Sequence, residues 1–222
     1  MEIDVIILSY AKNADIIKMN NVCINSIIES SDKHAFNIIL IETSDIDVVY
    51  PKQVTVIHPN SEFGYNKYLN IGLTYCKNEW IFISNNDTIY EKNFIDYMLE
   101  AYTQDNKLLS MSPIDDHWIY QNGFNRNTPI HYGYRLKYEI VCSSLLIHKK
   151  VLDVIGIFDE NYTFWYQDDD YVKSLIKYNI KHALITKSKV HHLVSKSNHL
   201  FENWSKMVTS SENYFNNKWK KK

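Results

Sequence analysis

Apolar residues in the first half of the chain form short runs that alternate with amphipathic segments. Four runs rich in β-branched residues have the length of strands, at residues 4–10, 36–44, 53–60 and 79–87, and a shorter candidate lies at 108–113. The segments between them repeat apolar residues three and four apart, as helices do, at 16–28, 66–76 and 94–102. Continuously apolar strands alternating with helices predict an α/β fold with a mostly parallel central sheet and helices on both faces.

Each predicted strand ends in polar residues. These are Ser9 and Tyr10, Glu42 to Ser44, His58 to Asn60, and Asn85 to Asp87. In open parallel sheets the ligand binds outside the carboxyl ends of the strands, so these groups are predicted to converge on one site. The stretch Asn85–Asp87 has two interpretations. It is either a polar turn between a strand and a helix, or a place where Asp87 binds a metal ion at the sheet edge.

The second half of the chain is less regular. Residues 113–138 are rich in aromatics, Asn and His and show few clean periods, and a loop this long is either functional or poorly ordered. Regular patterns return with a strand and a short helix over 139–156, a helix marked by Val172 and Leu175, and one or two strands over 182–193. No internal repeat or low-complexity linker is present, which favours one domain.

Composition excludes several classes of protein. The 222 residues carry a formal net charge of −2, whereas a general nucleic-acid binder would be basic. The three cysteines are isolated, which fits a reducing compartment and neither a zinc site nor a disulfide framework. No apolar run approaches the roughly 18 residues of a membrane span, and the first ten residues lack the features of a signal peptide. We therefore expect a cytoplasmic protein.

The last five residues, 218–222, are locally basic and have two interpretations. A solvated terminus is the favoured interpretation, and a peripheral contact with a membrane or another polyanion is the alternative.

The densest acidic cluster is Asp168, Asp169 and Asp170, which precede the helix of Val172 and Leu175. A single aspartate there is explained by capping of the helix and by its dipole. Three together repel one another unless a cation or a shared proton is present. Capping and function both remain open on this evidence.

The histidines His191 and His192 lie in a strand-like segment, where only one of two consecutive side chains can face inward. A metal at Asp87 would give one of them a role, because Mn²⁺ accepts imidazole beside carboxylate more readily than Mg²⁺ does. Covalent catalysis is not indicated, since Ser143 and Ser144 lack a nucleophile-elbow pattern and none of the three cysteines has a convincing partner. The sequence also has no P-loop motif, so any phosphate chemistry would rely on a bound metal ion.

Taken in order, these segments resemble glycosyltransferase family 2, whose members have the GT-A fold. The resemblance covers residues 3–110 and 140–195. It rests on "DVIILSYAKN", "IILIETSD", "NSEFGYNKYLNIGL", "FISNNDT", "VCSSLLIHKKVLDVIGIFDE", "FWYQDDDY" and "KVHH". Three features depart from the family pattern. Asn85 stands for the first Asp of the DxD motif, Gln167 stands for a Glu beside the base, and the acceptor-side loop matches no segment of the family.

The resemblance implies a role for each matched residue. Asp168 is implied as the catalytic base. The implied donor-binding residues are Ser9, Tyr10, Asn13, Glu42, Asn60, Gly64, Asn70 and Asn86. The implied metal ligands are Asp87, Asn85, His192 and His191, and the implied acceptor-side residues are Trp165, Asp169, Asp170 and Ser143. Trp118 and Tyr166 are candidates for stacking on a sugar or base, with core packing as the alternative.

The activity implied is that of an inverting glycosyltransferase of hexosyltransferase type. It would move a sugar from a UDP- or dTDP-linked donor to a hydroxyl of a glycan, glycolipid or protein-linked sugar, with Mn²⁺ or Mg²⁺. The whole chain would be one domain, with a donor half (1–112), an acceptor half (113–195) and a helical tail (196–222). Two alternatives stay open: a metal-dependent sugar-nucleotide hydrolase or nucleotidyltransferase, and a non-catalytic carbohydrate-binding protein.

Overall fold

The computed structural model describes residues 1–44, 48–194 and 204–220. Nine strands in these residues form one sheet. The strands are β1 (Glu2–Ser9), β2 (Ala35–Glu42), β3 (Val54–Ile57), β4 (Trp80–Ser84), β5 (Thr88–Tyr90), β6 (Leu108–Asp115), β7 (Ile130–Tyr132), β8 (Ser144–His148) and β9 (Lys181–His192). Their order across the sheet is β3-β2-β1-β4-β8-β6-β9-β5, and β7 pairs with β9.

Helices cover both faces of the sheet. The described α-helices are α1 (Ala14–Glu29), α2 (Tyr65–Leu73), α3 (Phe94–Gln104), α4 (Lys149–Ile155), α5 (Gln167–Lys177) and α6 (Trp204–Lys218). None of these helices is both long enough and apolar enough to cross a bilayer. The loop predicted over 113–138 contains a short 3-10 helix at Ile119–Gly123 and the edge strand β7.

The predicted α/β fold is confirmed, and its sheet is mixed. Strands β3, β2, β1 and β4 are parallel, as the sequence predicted, and β6 is parallel to β9. Between these two blocks β8 runs antiparallel to both β4 and β6. A continuously apolar run indicates a strand covered on both faces but not its direction, which is why the hydrophobic pattern missed the antiparallel strand.

Alternate residues of the central strands enter two cores on opposite faces. Val5 and Phe82 pack in one core with α1 and α3, whereas Ile6 and Ile83 pack in the other with α2 and α5. Helix α2 approaches the sheet closely at Gly72, because a Cβ at this position would lie 2.7 Å from the Cγ2 atom of Ile6. Side chains buried on both faces are what the sequence pattern required.

The parallel block brings polar strand ends to one edge of the sheet. Ser9 at the end of β1 is in register with Glu42 at the end of β2, and Ile7 is in register with Ser84 at the end of β4. The turn of Asn85 to Asp87 therefore begins beside the end of β1, at the sheet edge where the polar strand ends were predicted to converge.

Candidate functional site

A cleft of about 630 Å³ opens at this edge of the sheet. Both halves of the chain contribute to its walls. The site residues predicted from sequence that line it are Ser9, Tyr10, Asn85, Asn86, Asp87, Ser143, Trp165, Asp168, Asp169 and His192. Trp118 and Tyr166 also line it. The cavity therefore contains the implied base and some members of each of the implied donor, metal and acceptor sets.

Asp87 and His192 form the charged centre of one part of the cleft. His192 is the last residue of β9 and is paired with Thr88 of β5, so the sheet register places it next to Asp87. Its Nε2 atom lies 3.3 Å from Oδ1 of Asp87, and its Nδ1 atom lies 3.1 Å from Oδ2 of Asp115. Burial lowers the pKa of His192, but its hydrogen bonds to Asp115 and Asp87 outweigh burial and raise the pKa to about 9.

Hydrogen bonds from neighbouring side chains hold the backbone of the turn that carries Asp87. The carbonyl oxygen of Asn85 accepts from the Ser84 hydroxyl at 2.8 Å, the Thr88 hydroxyl at 2.9 Å and the Cys23 thiol at 3.3 Å. The backbone N–H of Asn85 donates to the Ser143 carbonyl at 2.8 Å, which joins the turn to the residue immediately before β8. These contacts hold the turn's backbone against the sheet, so its side chains are presented from a rigid support.

Asp87 and His192 are suitable ligands for a divalent cation that also binds a second molecule. A carboxylate and an imidazole 3.3 Å apart, both nearly buried, are the mixed oxygen and nitrogen ligands that suit Mn²⁺. The described residues contain no group of three His, Cys, Asp or Glu side chains placed to hold a metal on their own. A cation here would therefore depend on Asp87, His192 and oxygen atoms supplied by a bound molecule.

Asp168 lies in the first turn of α5 and lines the same cleft. Burial raises its pKa to about 6, the negative charge of Asp169 adds to the increase, and a hydrogen bond with Cys142 and the positive charge of Lys137 oppose it. A carboxyl group with a pKa near 6 is a carboxylate at neutral pH and remains basic enough to accept a proton.

Asp170, the third member of the acidic cluster, is absent from the cleft lining. Its carboxylate accepts hydrogen bonds from the Tyr162 hydroxyl, the Trp219 indole and Lys218. The repulsion expected among three aspartates is thus reduced, because only Asp168 and Asp169 share the cleft and Asp170 is paired with a lysine. Helix periodicity explains the split, since residues two apart point to different sides of a helix.

Five implied donor-binding residues lie outside the cleft lining, and four of them have other contacts. Glu42 is buried and accepts hydrogen bonds from the backbone amides of Ala11 and Ser44, which shapes the loop after β1. Asn13 caps α1 by accepting from Ile16, and Gly64 precedes α2. Asn70 bonds to the backbone of Phe158 and to Glu160, and Asn60 is exposed.

His191 points away from the cleft, as the strand alternation predicted for one of the two histidines. Its ring contacts Asp116 through Nδ1 and lies 3.2 Å from Glu91 through Nε2. The hydrogen bond to Asp116 raises the pKa of His191. The structure therefore leaves His192 as the member of the pair that meets Asp87.

Two residues near the site were not found from the sequence. Asp115, at the end of β6, is fully buried and accepts hydrogen bonds from Ser143, from the His117 amide and from His192. Lys137 lines the cleft and has a left-handed φ of 67°. Both belong to the irregular stretch that begins at residue 113, where no periodicity marks which side chains face inward; a polar residue ending an apolar strand was the available signal for Asp115.

Comparison with known proteins places the chain in a family. The model of glycosyl transferase family 2 matches residues 5–196. A search of curated protein sequences finds no match. Among solved structures, the chain is similar to GalNAc-T7 crystallised with UDP, GalNAc and Mn²⁺, at a TM-score of 0.69 and 13% identity, over 96% of this chain and 50% of that one.

A second similar structure is S. aureus TarS, at a TM-score of 0.63 and 13% identity, over 88% of this chain and 37% of that one. The chain thus spans half or less of the length of these two proteins. At this identity the two likenesses show the shared fold, which agrees with the GT-A fold implied by the sequence motifs. With the family model matching most of the chain, we conclude that the protein belongs to glycosyl transferase family 2.

Proposed function

We propose that this chain is an inverting glycosyltransferase that moves a sugar from a nucleotide diphosphate donor, UDP- or dTDP-linked, to an acceptor hydroxyl. The observation that carries the proposal is one cleft that contains both the Asp87–His192 pair and the raised-pKa carboxyl of Asp168. The first is suited to a diphosphate with its cation, and the second to a hydroxyl that must lose a proton.

The donor binds at the edge formed by β1 and β4. Ser9, Tyr10 and Asn86 line the cleft there, and the Asn86 amide is oriented by a 2.8 Å hydrogen bond to Asn20. Asp87 and His192 would hold Mn²⁺ or Mg²⁺, which when bound neutralises charge on the diphosphate. The structure of GalNAc-T7, which has a similar fold, contains UDP and Mn²⁺, and this supports the choice of ligand.

Asp168 acts on the acceptor. Its carboxylate takes the proton of the acceptor hydroxyl as the hydroxyl oxygen bonds to the anomeric carbon of the donor sugar. The bond from that carbon to the diphosphate oxygen breaks, and the nucleoside diphosphate leaves with its electron pair. Attack on the face opposite the leaving group inverts the anomeric configuration.

Gln167, the residue next to Asp168, supports the proposal that the acceptor binds beside Asp168. Gln167 lines the cleft, and its Oε1 atom is buried without a hydrogen-bond partner among the described residues. A buried polar atom left unpaired is costly and calls for an explanation. A substrate hydroxyl bound next to Asp168 would provide the missing donor.

The test compares Asp168→Asn with the wild type in donor binding and in transfer. A screen of nucleotide sugars with Mn²⁺ by thermal shift first identifies the donor, because a ligand that binds the folded state raises the melting temperature. Asp168→Asn is then expected to bind the donor normally and to lose transfer by a factor of about 10² to 10⁴. Transfer that survives in Asp168→Asn rejects this residue as the base.

Products separate the proposal from its rivals. Donor and Mn²⁺ incubated with an acceptor should give a glycosylated product, and without an acceptor should give little free sugar. Equal release of sugar in both incubations would indicate a hydrolase. Failure of every nucleotide sugar to bind would favour a non-catalytic protein.

A further inference from the structure

Helix α6 packs against the segment that carries the proposed base. The family model ends at residue 196, so α6 (Trp204–Lys218) and Trp219 lie outside the matched part of the chain. Their polar contacts nevertheless converge on residues 159–170, which lead into α5 and include Asp168. Helix α6 and Trp219 therefore contact the segment that leads to the proposed base at three points.

The first point of contact is Asp170, whose side chain is 10% exposed. The Trp219 indole donates to it at 2.7 Å, Lys218 lies 2.9 Å away and the Tyr162 hydroxyl donates at 3.0 Å. A carboxylate removed from water in this way requires charged and hydrogen-bonding partners. Two of its three partners come from the end of the chain.

The second point of contact is Asp159, at the start of the same segment. Lys218 also donates to Asp159 at 2.7 Å, and the Tyr214 hydroxyl donates to it at 2.9 Å. The rings of Tyr214 and Tyr162 meet edge to face with centroids 5.1 Å apart. A single ammonium group, that of Lys218, therefore joins Asp159 to Asp170.

The third point of contact is Tyr166, which lines the cleft two residues before Asp168. Trp165 and Tyr166 both adopt left-handed backbone conformations, with φ of 66° and 62°. Such conformations cost energy in residues other than glycine and persist only where surrounding contacts impose them. Here α6 supplies contacts, because the Tyr166 hydroxyl donates to Glu212 and its ring packs 5.5 Å from that of Phe215.

We propose that α6 and Trp219 are a positioning element for the acceptor half of the site. Lys218 and Trp219 hold Asp170, while Glu212 and Phe215 hold Tyr166, so that the first turn of α5 presents Asp168 to the cleft. The effect on catalysis rests on the proposed function, whereas the effect on α5 does not. Donor binding is expected to be independent of α6, because the donor side of the cleft is built from β1, β4 and β9.

The experiment uses the full chain with Lys218→Met, Trp219→Phe and, as a matched control, Lys220→Met. Lys220 lies in the same region but contacts only Asn217 among the contacts the structure describes. Lys218→Met and Trp219→Phe should lower kcat by about 10- to 100-fold, since a displacement of about 1 Å can have this effect, and should leave KM for the donor unchanged. Lys218→Arg should restore much of the rate, because it keeps the charge.

Amide hydrogen exchange gives a readout that does not depend on activity. The Asp170 amide donates to the Tyr166 carbonyl at 2.9 Å, so loosening of this turn should speed exchange over residues 166–171 in Lys218→Met and Trp219→Phe but not in Lys220→Met. Faster exchange supports the positioning role even if no transferase activity is found. Unchanged exchange in Trp219→Phe, which keeps an aromatic side chain but lacks the indole N–H donor to Asp170, overturns it whether or not Lys218→Met folds.

Discussion

The Nε2 atom of His192 lies 3.3 Å from a carboxylate oxygen of Asp87, and the opposite ring nitrogen of His192 faces Asp115 at 3.1 Å. This order of carboxylate, imidazole and carboxylate leaves one nitrogen of His192 directed at Asp87 and fixes the ring through the other. Partners of this kind orient ligating histidines and increase their basicity.

We predict that Asp115→Asn weakens Mn²⁺ binding about tenfold or more, because the neutral amide no longer supports the His192 ring with a charge. The measurement is calorimetric titration of Mn²⁺ in the presence of UDP. Asp116→Asn is the matched control, since Asp116 is the next residue and contacts the ring of His191 and the backbone amide of His192, but not the His192 ring. An unchanged Mn²⁺ affinity in Asp115→Asn would contradict this role.

The pH dependence of transfer should report the pKa of Asp168. Because a general base works as the carboxylate and burial raises this pKa to about 6, kcat/KM should fall as the pH drops below about 6. Asp169→Asn removes a negative neighbour that helps to raise the pKa, so the acid limb should move to lower pH. An acid limb that stays in place in Asp169→Asn argues against Asp168 as the titrating group.

His182 should make the fold sensitive to acid. It is buried, its Nε2–H donates to the Glu139 carbonyl, and its Nδ1 atom accepts from the Ser110 hydroxyl. Burial lowers its pKa from 6.5 to about 4, so the folded state binds fewer protons than the unfolded state between these values. The free energy of unfolding therefore has no penalty from His182 above pH 6.5. It decreases as the pH falls from 6.5 towards 4, by about 1.4 kcal/mol for each unit of pKa difference.

The test of this effect is urea unfolding of wild type and His182→Gln from pH 7 to 4. The variant removes the titrating ring, so its free energy of unfolding should be lower at pH 7 and should fall less steeply with acid. Parallel pH profiles for the two proteins would show that another group is responsible.

Gly72→Ala should destabilise the fold, because the added Cβ would lie 2.7 Å from the Cγ2 atom of Ile6 and would force α2 away from the sheet. Overpacking of this kind costs roughly 1–3 kcal/mol. Gly123→Ala is the matched control, since a Cβ there meets nothing within 4 Å. Thermal unfolding of both variants checks the prediction, and equal melting temperatures would contradict it.

Much of the fold was predictable from the sequence. The alternation of apolar runs and helical periods predicted the parallel block of β1 to β4 and the helices α1 to α3, because strands buried on both faces and amphipathic helices leave distinct patterns. Strand direction in the second half was not predictable, since β8 is as apolar as a parallel strand. The stretch 113–138 had no period from which β7 could be inferred.

The candidate site was predictable in part. Strand ends and family motifs singled out Ser9, Asp87, Asp168 and His192, and the structure places all four on one cleft. The structural contacts of Asn70, Glu42 and Asp170 could not be inferred from the sequence, because each side chain bonds to residues distant in sequence. The pairing of Lys218 with Asp170, across 48 positions, depends on where α6 packs.

The sequence by itself determined which segments form strands and helices and which polar residues arrive at the carboxyl edge of the sheet, since both follow from local periodicity. Only the tertiary structure decided which of His191 and His192 meets Asp87, which of the three aspartates face the cleft, and that Asp115 and Lys218 support them. The physical reason is that these choices depend on strand register, helix orientation and burial, which are set by contacts between distant parts of the chain.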